Sequence, residues 1–409
     1  MTKVAIIGAG ISGLSAAHFL RDRYEVTLFE REKAPGGLIR CDTQDGVFHL
    51  CGGHVFNSKR QDVLDWFWRF FDKEKEFVKT ERNSVVFLGG LHIPYPIENH
   101  VYMMDEETQR SFIRDLMAIA KETGYRPRNF EEFLQHRFGD TLYRLYFKPY
   151  NQKVWRRPLD TVPLSWLEGK LPMPTVEEMI YYNMRHVEER QFVHSTFWYA
   201  KRQGSQFIAS RLAEGLDIRY GQDVGNLHYD GTAWEVDGQK FDKVVFCGNI
   251  KEMVGCITGV DLSPYSKAVE ALEYHGTTSV FCEMDPNPYS WIYLPSDEHQ
   301  SHRIICTGNF SPGNNPSGTM TGTIEFTDEL TEEEIKEQLA KIPLHPRYIK
   351  HRFNKYTYPI QDQGTKRLIA DIKAALQPFG FHFTGRFADW EYYNMDVAIG
   401  AAMDLSKTL

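Results

Sequence analysis

Gly8-Ala9-Gly10-Ile11-Ser12-Gly13 is a G-x-G-x-x-G sequence, and Glu30 follows 17 residues after Gly13. The pattern is common by itself, so its surroundings decide its meaning. Here it follows the apolar run KVAII (3–7) and opens a helical pattern over 12–21, with Leu14, Ala17 and Leu20 on one face. Glu30 then closes the alternating stretch EVTLFE (25–30). Strand, glycine turn, helix and strand within about thirty residues make a dinucleotide-binding βαβ unit. In that unit Gly8 permits a tight turn, Gly10 lets backbone approach a pyrophosphate, and Gly13 allows the helix to lie close on the strand. The helix N-terminus offers N–H groups to phosphate, and Glu30 can accept from ribose hydroxyls.

Other chemistries find little support. The chain shows no carboxylate pair suited to acid–base work and no Ser/His/Asp set. Its six cysteines, at 41, 51, 247, 256, 282 and 306, form no C-x-x-C pair and no zinc spacing. Free thiols in a reducing cytosol are expected. The formal net charge is −8 with no run of five Lys or Arg, which argues against nucleic acid as a main partner. MTKVAIIGAG runs directly into a strand, so no cleavable signal peptide is expected. No apolar stretch approaches the ~18 residues of a membrane span. The expectation is a cytoplasmic enzyme without membrane insertion, with a homo-oligomer left open. Aromatic residues make up 14% of the chain, suiting both a Tyr/Phe-rich core and a cavity that stacks planar ligands.

The 409 residues allow two or three domains. Residues 60–72 predict a helix with Val63, Trp66, Phe67, Phe70 and Phe71 on a core face. Residues 84–104 predict β-structure broken at Gly89-Gly90 and at Pro94 and Pro96. The stretch 105–190 is mainly helical in pattern, 217–247 reads as a β-meander, and VVFCGN (244–249) reads as a buried strand entering a turn. Strands recur over 277–312, and 311–323 reads as a surface loop. A polar helix follows at 330–341. HFTGRFADW (382–390) is a strand and glycine turn before a small-residue helix from about 396.

Beyond the fingerprint, Glu30-Arg31 and Ala34-Pro35-Gly36-Gly37-Leu38 resemble the second phosphate-contacting segment of the flavin amine oxidase and protoporphyrinogen oxidase superfamily. That resemblance favours FAD over NAD, with VVFCGN similar to the strand closing the adenine side, although Cys247 and Asn249 replace small residues. No Cys or His lies in a recognisable covalent flavin motif, so dissociable FAD is expected.

Further segments resemble UDP-galactopyranose mutase, especially its eukaryotic-type branch, over most of the chain. Gly52-Gly53-His54-Val55 resembles the histidine loop over the flavin. Arg82-Asn83-Ser84 lies where that branch has an arginine and serine for a nicotinamide reductant, NADPH or NADH. Ile93-Pro94-Tyr95-Pro96 resembles the turn beside the nucleobase. Tyr150-Asn151-Gln152-Lys153-Val154-Trp155 resembles a Y-N-x-K-V-W segment. Trp291 to Pro295, Arg303 and Gly308 to Ser311 resemble the strands with a substrate tyrosine, Tyr293, and a diphosphate arginine. Tyr356-Thr357-Tyr358-Pro359 places Tyr358 over the diphosphate. Gly385-Arg386-Phe387-Ala388-Asp389-Trp390-Glu391-Tyr392-Tyr393-Asn394-Met395-Asp396 resembles the C-terminal signature that meets flavin and sugar.

The resemblance implies FAD contacts from Gly8, Gly10, Ile11, Ser12, Gly13, Glu30, Arg31, Gly36, Gly37, Leu38, Gly53, His54, Gly385, Arg386, Asn394, Met395 and Asp396. It implies roles in the reaction for His54, Lys170, Tyr293, Arg303, Tyr358, Tyr392 and Asn394. Substrate contacts fall to Tyr95, Glu98, Tyr150, Asn151, Trp155 and His194, and reductant contacts to Arg82 and Ser84. The chain departs from the branch at Lys170 (an arginine there), at Ile97 and Glu98 (an aromatic and Gln), and at His194 (an Asn). Arginine offers a planar fork to a diphosphate that lysine lacks.

The implied reaction interconverts UDP-galactopyranose and UDP-galactofuranose, or a related nucleotide-sugar, in cell-surface polysaccharide biosynthesis. It runs through an adduct between N5 of reduced FAD and sugar C1, without net redox change. The implied fold is α/β. A Rossmann-type FAD-binding domain spans 1–80, 205–275 and 380–409, with an inserted mainly helical lobe at 105–190. An antiparallel β-sheet substrate domain spans 81–104, 191–204 and 276–379. Two other readings use the same fingerprint: an FAD-dependent amine oxidase or dehydrogenase, and a non-catalytic flavin-binding regulator.

Overall fold

A computed structural model of the protein describes residues 1–44, 48–50, 53–122, 124–164, 173–186, 196–315 and 318–409. The chain forms two units. The first comprises Met1–Val78, Trp198–His275 and Tyr356–Leu409, the second Lys79–Phe197 and Gly276–Lys355.

In the first unit, Lys3–Ile7 is central to a five-stranded parallel sheet. The strand order is Phe381–Phe383, Lys243–Phe246, Lys3–Ile7, Glu25–Glu30, Ile218–Tyr220. Both faces are covered, which is why KVAII is continuously apolar. Val4, Ile6, Leu28 and Val245 join one core with Leu14 and Ala17 of helix Ile11–Leu20, Ile208 of Gly204–Ala213 and Ile399 of Met395–Ser406. Ala5, Ile7, Phe29 and Phe246 join the other with Trp234, Ile369, Ile372 and Leu376. The helix expected at 60–72 forms at Gln61–Phe67 and buries Val63, Trp66 and Phe67 in the first core.

Two expectations need correction here. Only Leu227–Tyr229, Trp234–Val236 and Gln239–Phe241 make the antiparallel meander, while Ile218–Tyr220 and Lys243–Phe246 leave it for the parallel sheet. Residues 356–379, assigned above to the substrate domain, belong to the first unit. Helix Thr365–Leu376 buries Ile369, Ile372 and Leu376 against Trp234 and Phe381, and this apolar face fixes its place.

The second unit holds helices Glu106–Ile119, Phe130–Leu142, Lys148–Trp155 and Val176–Arg185. Its sheet runs through Tyr274–Glu283, Thr321–Phe326, Arg303–Ile305, Trp291–Tyr293, Ser84–Leu88 and Leu91–Pro94. The pairing of Trp291–Tyr293 with Ser84–Leu88 is parallel, so the expected purely antiparallel sheet is mixed. Alternation sorts its two faces. Val85, Ile292, Ile304, Ile324 and Val280 line up across five strands and pack with Ile335 and Leu339 of helix Glu332–Leu339. The opposite face carries Tyr293, Arg303 and Glu325 in one cross-strand row. The expected β-run over 84–104 stops at Pro94, and short 3₁₀ turns follow at Ile97–Asn99 and Val101–Met103. The expected loop at 311–323 ends early, because Thr321–Phe326 is a wholly buried strand. Among the described residues no helix is long and apolar enough to cross a membrane.

Candidate active site

The cradle for a dinucleotide is built from bare backbone. A Cβ on Gly13 would lie 1.9 Å from the Gly8 carbonyl oxygen, so only glycine lets the helix settle on the first turn. Gly8 has φ +101°, and Gly36 and Gly37 have φ +128° and +54°. Gly36 N–H donates to the Ala9 carbonyl at 2.9 Å, bringing the second glycine segment beside the first. Helix Gly204–Ala213 fixes that segment: Gln206 Nε2 donates to Pro35 O at 3.0 Å and Ser205 Oγ to Ile39 O at 2.6 Å. Glu30 is buried, and its carboxylate accepts from Ala9 N at 2.7 Å and Glu32 N at 2.9 Å. Helix Ile11–Leu20 begins at Gly10 with no side-chain cap, so its first-turn N–H groups point at whatever anion sits there. Arg31 is exposed and pairs with Glu252 at 3.4 Å, and Leu38 is half-buried on the second segment. Gly53 and His54 lie partly buried in the same unit, just before Phe56, whose backbone pairs with Trp198.

The two departures noted above, at Cys247 and Asn249, have local explanations. Burial pushes the Cys247 thiol far up, which makes it inert. Asn249 caps helix Ile250–Cys256 by accepting from Lys251 N at 3.0 Å.

The C-terminal signature closes the first unit. Gly385 has φ +129°, and a Cβ there would lie 3.2 Å from Ser12 Oγ, so this turn abuts the fingerprint helix. Asp389 accepts from Gly385 N at 3.0 Å and Thr384 Oγ1 at 3.1 Å, and Trp390 is fully buried. Asp389 and Trp390 therefore hold the turn. Arg386 donates to Tyr393 O at 2.9 Å and Thr357 O at 3.1 Å, with its guanidinium 4.4 Å from the Tyr392 ring centre. Tyr392 stacks on Tyr358 at 5.4 Å, with the planes 4° apart. Asn394 is exposed at the start of helix Met395–Ser406, with Met395 buried and Asp396 in the first turn.

In the second unit, Arg82 donates to Ser84 Oγ at 2.8 Å and Tyr293 OH at 2.6 Å. Tyr95 and Tyr150 lie 5.1 and 5.5 Å from the Tyr293 ring. Burial, with Tyr293 and Glu98 nearby, pushes the Tyr95 phenol well above its ordinary value, so it keeps its proton. Arg303 Nε donates to Glu325, which is buried and also 3.6 Å from His302 Nε2. Burial alone would raise the Glu325 carboxyl, but Arg303 and His302 hold it down to about 2. Arg303 is thus a charge-compensated arginine, while the described partners of Arg82 are neutral hydroxyls. Glu98 and Trp155 are buried, and Asn151 donates to Phe147 O at 2.7 Å within its own helix.

The structure therefore gathers Arg82, Ser84, Tyr95, Tyr150, Tyr293 and Arg303 in the second unit. The glycines, Glu30, Tyr358, Arg386 and Tyr392 belong to the first. Gly52, Lys170 and His194 lie outside the described residues. Sequence reasoning missed Glu325 and His302, and named Lys153 only as part of the Y-N-x-K-V-W segment, without a role. The one signal for Glu325 was the general need of a buried arginine for a carboxylate. A surface depression of about 580 Å³ between Trp68 and Trp198 is separate from all of these. Lys73 already covers both indole rings, at 5.0 and 4.5 Å.

The glycine turns and the parallel sheet of the first unit together define a Rossmann-like domain. Residues 6–73 match the family model described as NAD(P)-binding Rossmann-like domain. The chain is related over its whole length to nucleotide-sugar mutases. It is 24% identical to dTDP-fucopyranose mutase of Escherichia coli, covering 100% of this chain and 98% of that protein. It is 22% identical to UDP-galactopyranose mutase of Mycoplasma pneumoniae, covering 99% and 95%. The crystal structure of reduced UDP-galactopyranose mutase has the same fold, with TM-score 0.89 at 22% identity over 100% of this chain and 93% of that one.

Proposed function

We propose that the protein is a flavin-dependent nucleotide-sugar mutase. Its reaction interconverts UDP-galactopyranose and UDP-galactofuranose, or the pyranose and furanose forms of a closely related sugar, with no net redox change. The observation that carries this reading is a complete dinucleotide cradle in a chain whose other unit presents Arg82, Tyr293 and Arg303 on one sheet face. The bare backbone at Gly10, Gly36 and Gly37, the uncapped helix and the buried Glu30 fit FAD's diphosphate and ribose. When bound and reduced, FAD supplies the nucleophile toward the anomeric carbon. No side chain then has to act as a strong acid or base.

The chain's own residues bind and orient. Arg82, whose described hydrogen-bond partners are neutral hydroxyls, supplies positive charge to the nucleotide diphosphate, and Arg303, its charge balanced by Glu325, supplies N–H donors. Tyr293 in the second unit, and Tyr358 and Tyr392 in the first, each offer a hydroxyl donor without further charge. His54, Asn394 and Met395 position the flavin. Arg82 and Ser84 also serve NADPH or NADH during reduction. Ile97 and Glu98 stand where the eukaryotic-type branch has an aromatic residue and Gln, so the nucleobase side differs from that branch. A thymidine-linked sugar of the kind named for the E. coli relative is the nearest alternative substrate.

The test is anaerobic. Protein reduced with dithionite or NAD(P)H is expected to interconvert the two UDP-galactose forms on a chromatographic assay, and oxidised protein is not. Turnover only of another nucleotide-sugar removes the UDP-galactose assignment. Equal activity of oxidised protein removes the mechanism, and flavin bleaching by an amine substrate marks an oxidase instead.

A further inference from the structure

Lys153 is a lysine whose three donors all have acceptors. Its ammonium donates to Leu294 O at 3.0 Å, to Ser301 O at 2.9 Å, and to Ser296 O. An ammonium has three N–H donors and no acceptor, so three carbonyls saturate it. These carbonyls belong to one connection. Leu294 directly follows strand Trp291–Tyr293, and Ser301 lies two residues before strand Arg303–Ile305. The connection is buried on one side only: His299, Ser301 and His302 are at most 4% exposed, while Asp297, Glu298 and Gln300 face solvent.

The lysine's own helix, Lys148–Trp155, carries Tyr150, Asn151 and Trp155. The Lys153 carbonyl accepts from Thr327 Oγ1 at 2.6 Å, just past the strand that carries Glu325. One residue therefore joins the helix to the hairpin bearing Tyr293 and Arg303, and to the end of the strand opposite them.

We propose that Lys153 is a positioning residue for the nucleotide-sugar: it clamps the 294–301 connection so that Tyr293 and Arg303 are presented in register with Tyr150. This rests on the mutase reading above. The clamp is also a cation site made of three convergent backbone carbonyls, normally filled by the chain's own ammonium. A guanidinium spreads its donors over a plane and does not converge on one point.

The experiment uses holoenzyme. K153A and K153Q are compared with wild type for flavin spectrum, thermal midpoint, UDP affinity, and kcat and KM of the reduced enzyme. Both variants are expected to keep the flavin spectrum. Their KM and UDP Kd are expected to rise roughly tenfold or more, with kcat changed less than about twofold. Added methylammonium is expected to restore KM in K153A and leave wild type unchanged, which a general loss of stability would not produce. K153Q keeps two N–H donors and carries the comparison if K153A does not accumulate as folded flavoprotein.

Unchanged KM and UDP affinity in K153Q, or a lowered thermal midpoint alone, overturns the inference while the mutase reading stands. Wild-type holoenzyme that binds neither UDP nor thymidine diphosphate overturns both.

Discussion

Arg303 and Glu325 face each other across adjacent strands, and their pairing changes what an Arg303 substitution reports. R303A is expected to weaken UDP binding roughly 100-fold without altering the flavin spectrum. It also leaves Glu325 buried and unpaired, a loss of about 3–5 kcal/mol of stability by denaturant unfolding. The double variant R303A/E325Q separates the two effects: stability recovers and UDP affinity does not. Recovery of both would remove Arg303 from the binding surface. The fingerprint glycines differ just as sharply. G13A puts a methyl 1.9 Å from a backbone oxygen, and colourless, destabilised protein is expected. A methyl at Gly10 meets nothing nearer than Gly37 Cα at 3.8 Å, so G10A is expected to fold and take up FAD more weakly. Equal flavin content in the two variants would contradict the packing argument. The fingerprint was readable from sequence because each glycine answers a local backbone demand. Glu325 was not, because its need for Arg303 arises only from strand register.

At the scale of elements, period-2 and period-3.6 patterns located Lys3–Ile7, Ile11–Leu20, Glu25–Glu30 and Glu332–Leu339 well. They failed where composition misleads. Thr321–Phe326 follows a Ser/Pro/Gly/Asn tract and contains Gly322, yet it is buried along its length. Lys243–Phe246 was grouped with its meander neighbours in sequence, although its two apolar faces suit only a covered parallel sheet. Two strand-associated histidines give a pH prediction. Burial, with Lys153 nearby, lowers His299 to about 4, and burial with Lys243 does the same for His382. Unfolded histidine titrates near 6.5, so the unfolded chain binds more protons between pH 6.5 and 4. The stability these residues confer is complete above 6.5 and is lost as pH falls through 4. Each adds a slope of up to about 1.4 kcal/mol per pH unit. H382N is expected to flatten the dependence of urea midpoint on pH in this window, and an unchanged slope would refute the assignment.

For the molecule as a whole, sequence conveyed the class better than the division of labour. Motifs quoted from stretches far apart in the chain were sufficient to suggest a flavin protein with a second, ligand-facing unit. The membership of 356–379 was not readable, because helix Thr365–Leu376 is amphipathic and would suit either core. Its partner, Trp234, lies 135 positions earlier than Ile369 in the numbering. The substrate side was also the less readable half, since its charges act in combinations across strands whereas a phosphate cradle is written in consecutive residues.

The parallel sheet of the first unit has Phe381–Phe383 as one of its edges, and helix Met395–Ser406 packs its Ile399 into the same core as the fingerprint helix. Ala9, Leu14 and Ala17 thus share one core with Met395, Ile399 and Ala402, so the surface beneath the glycine turn is finished by residues far from it in the chain.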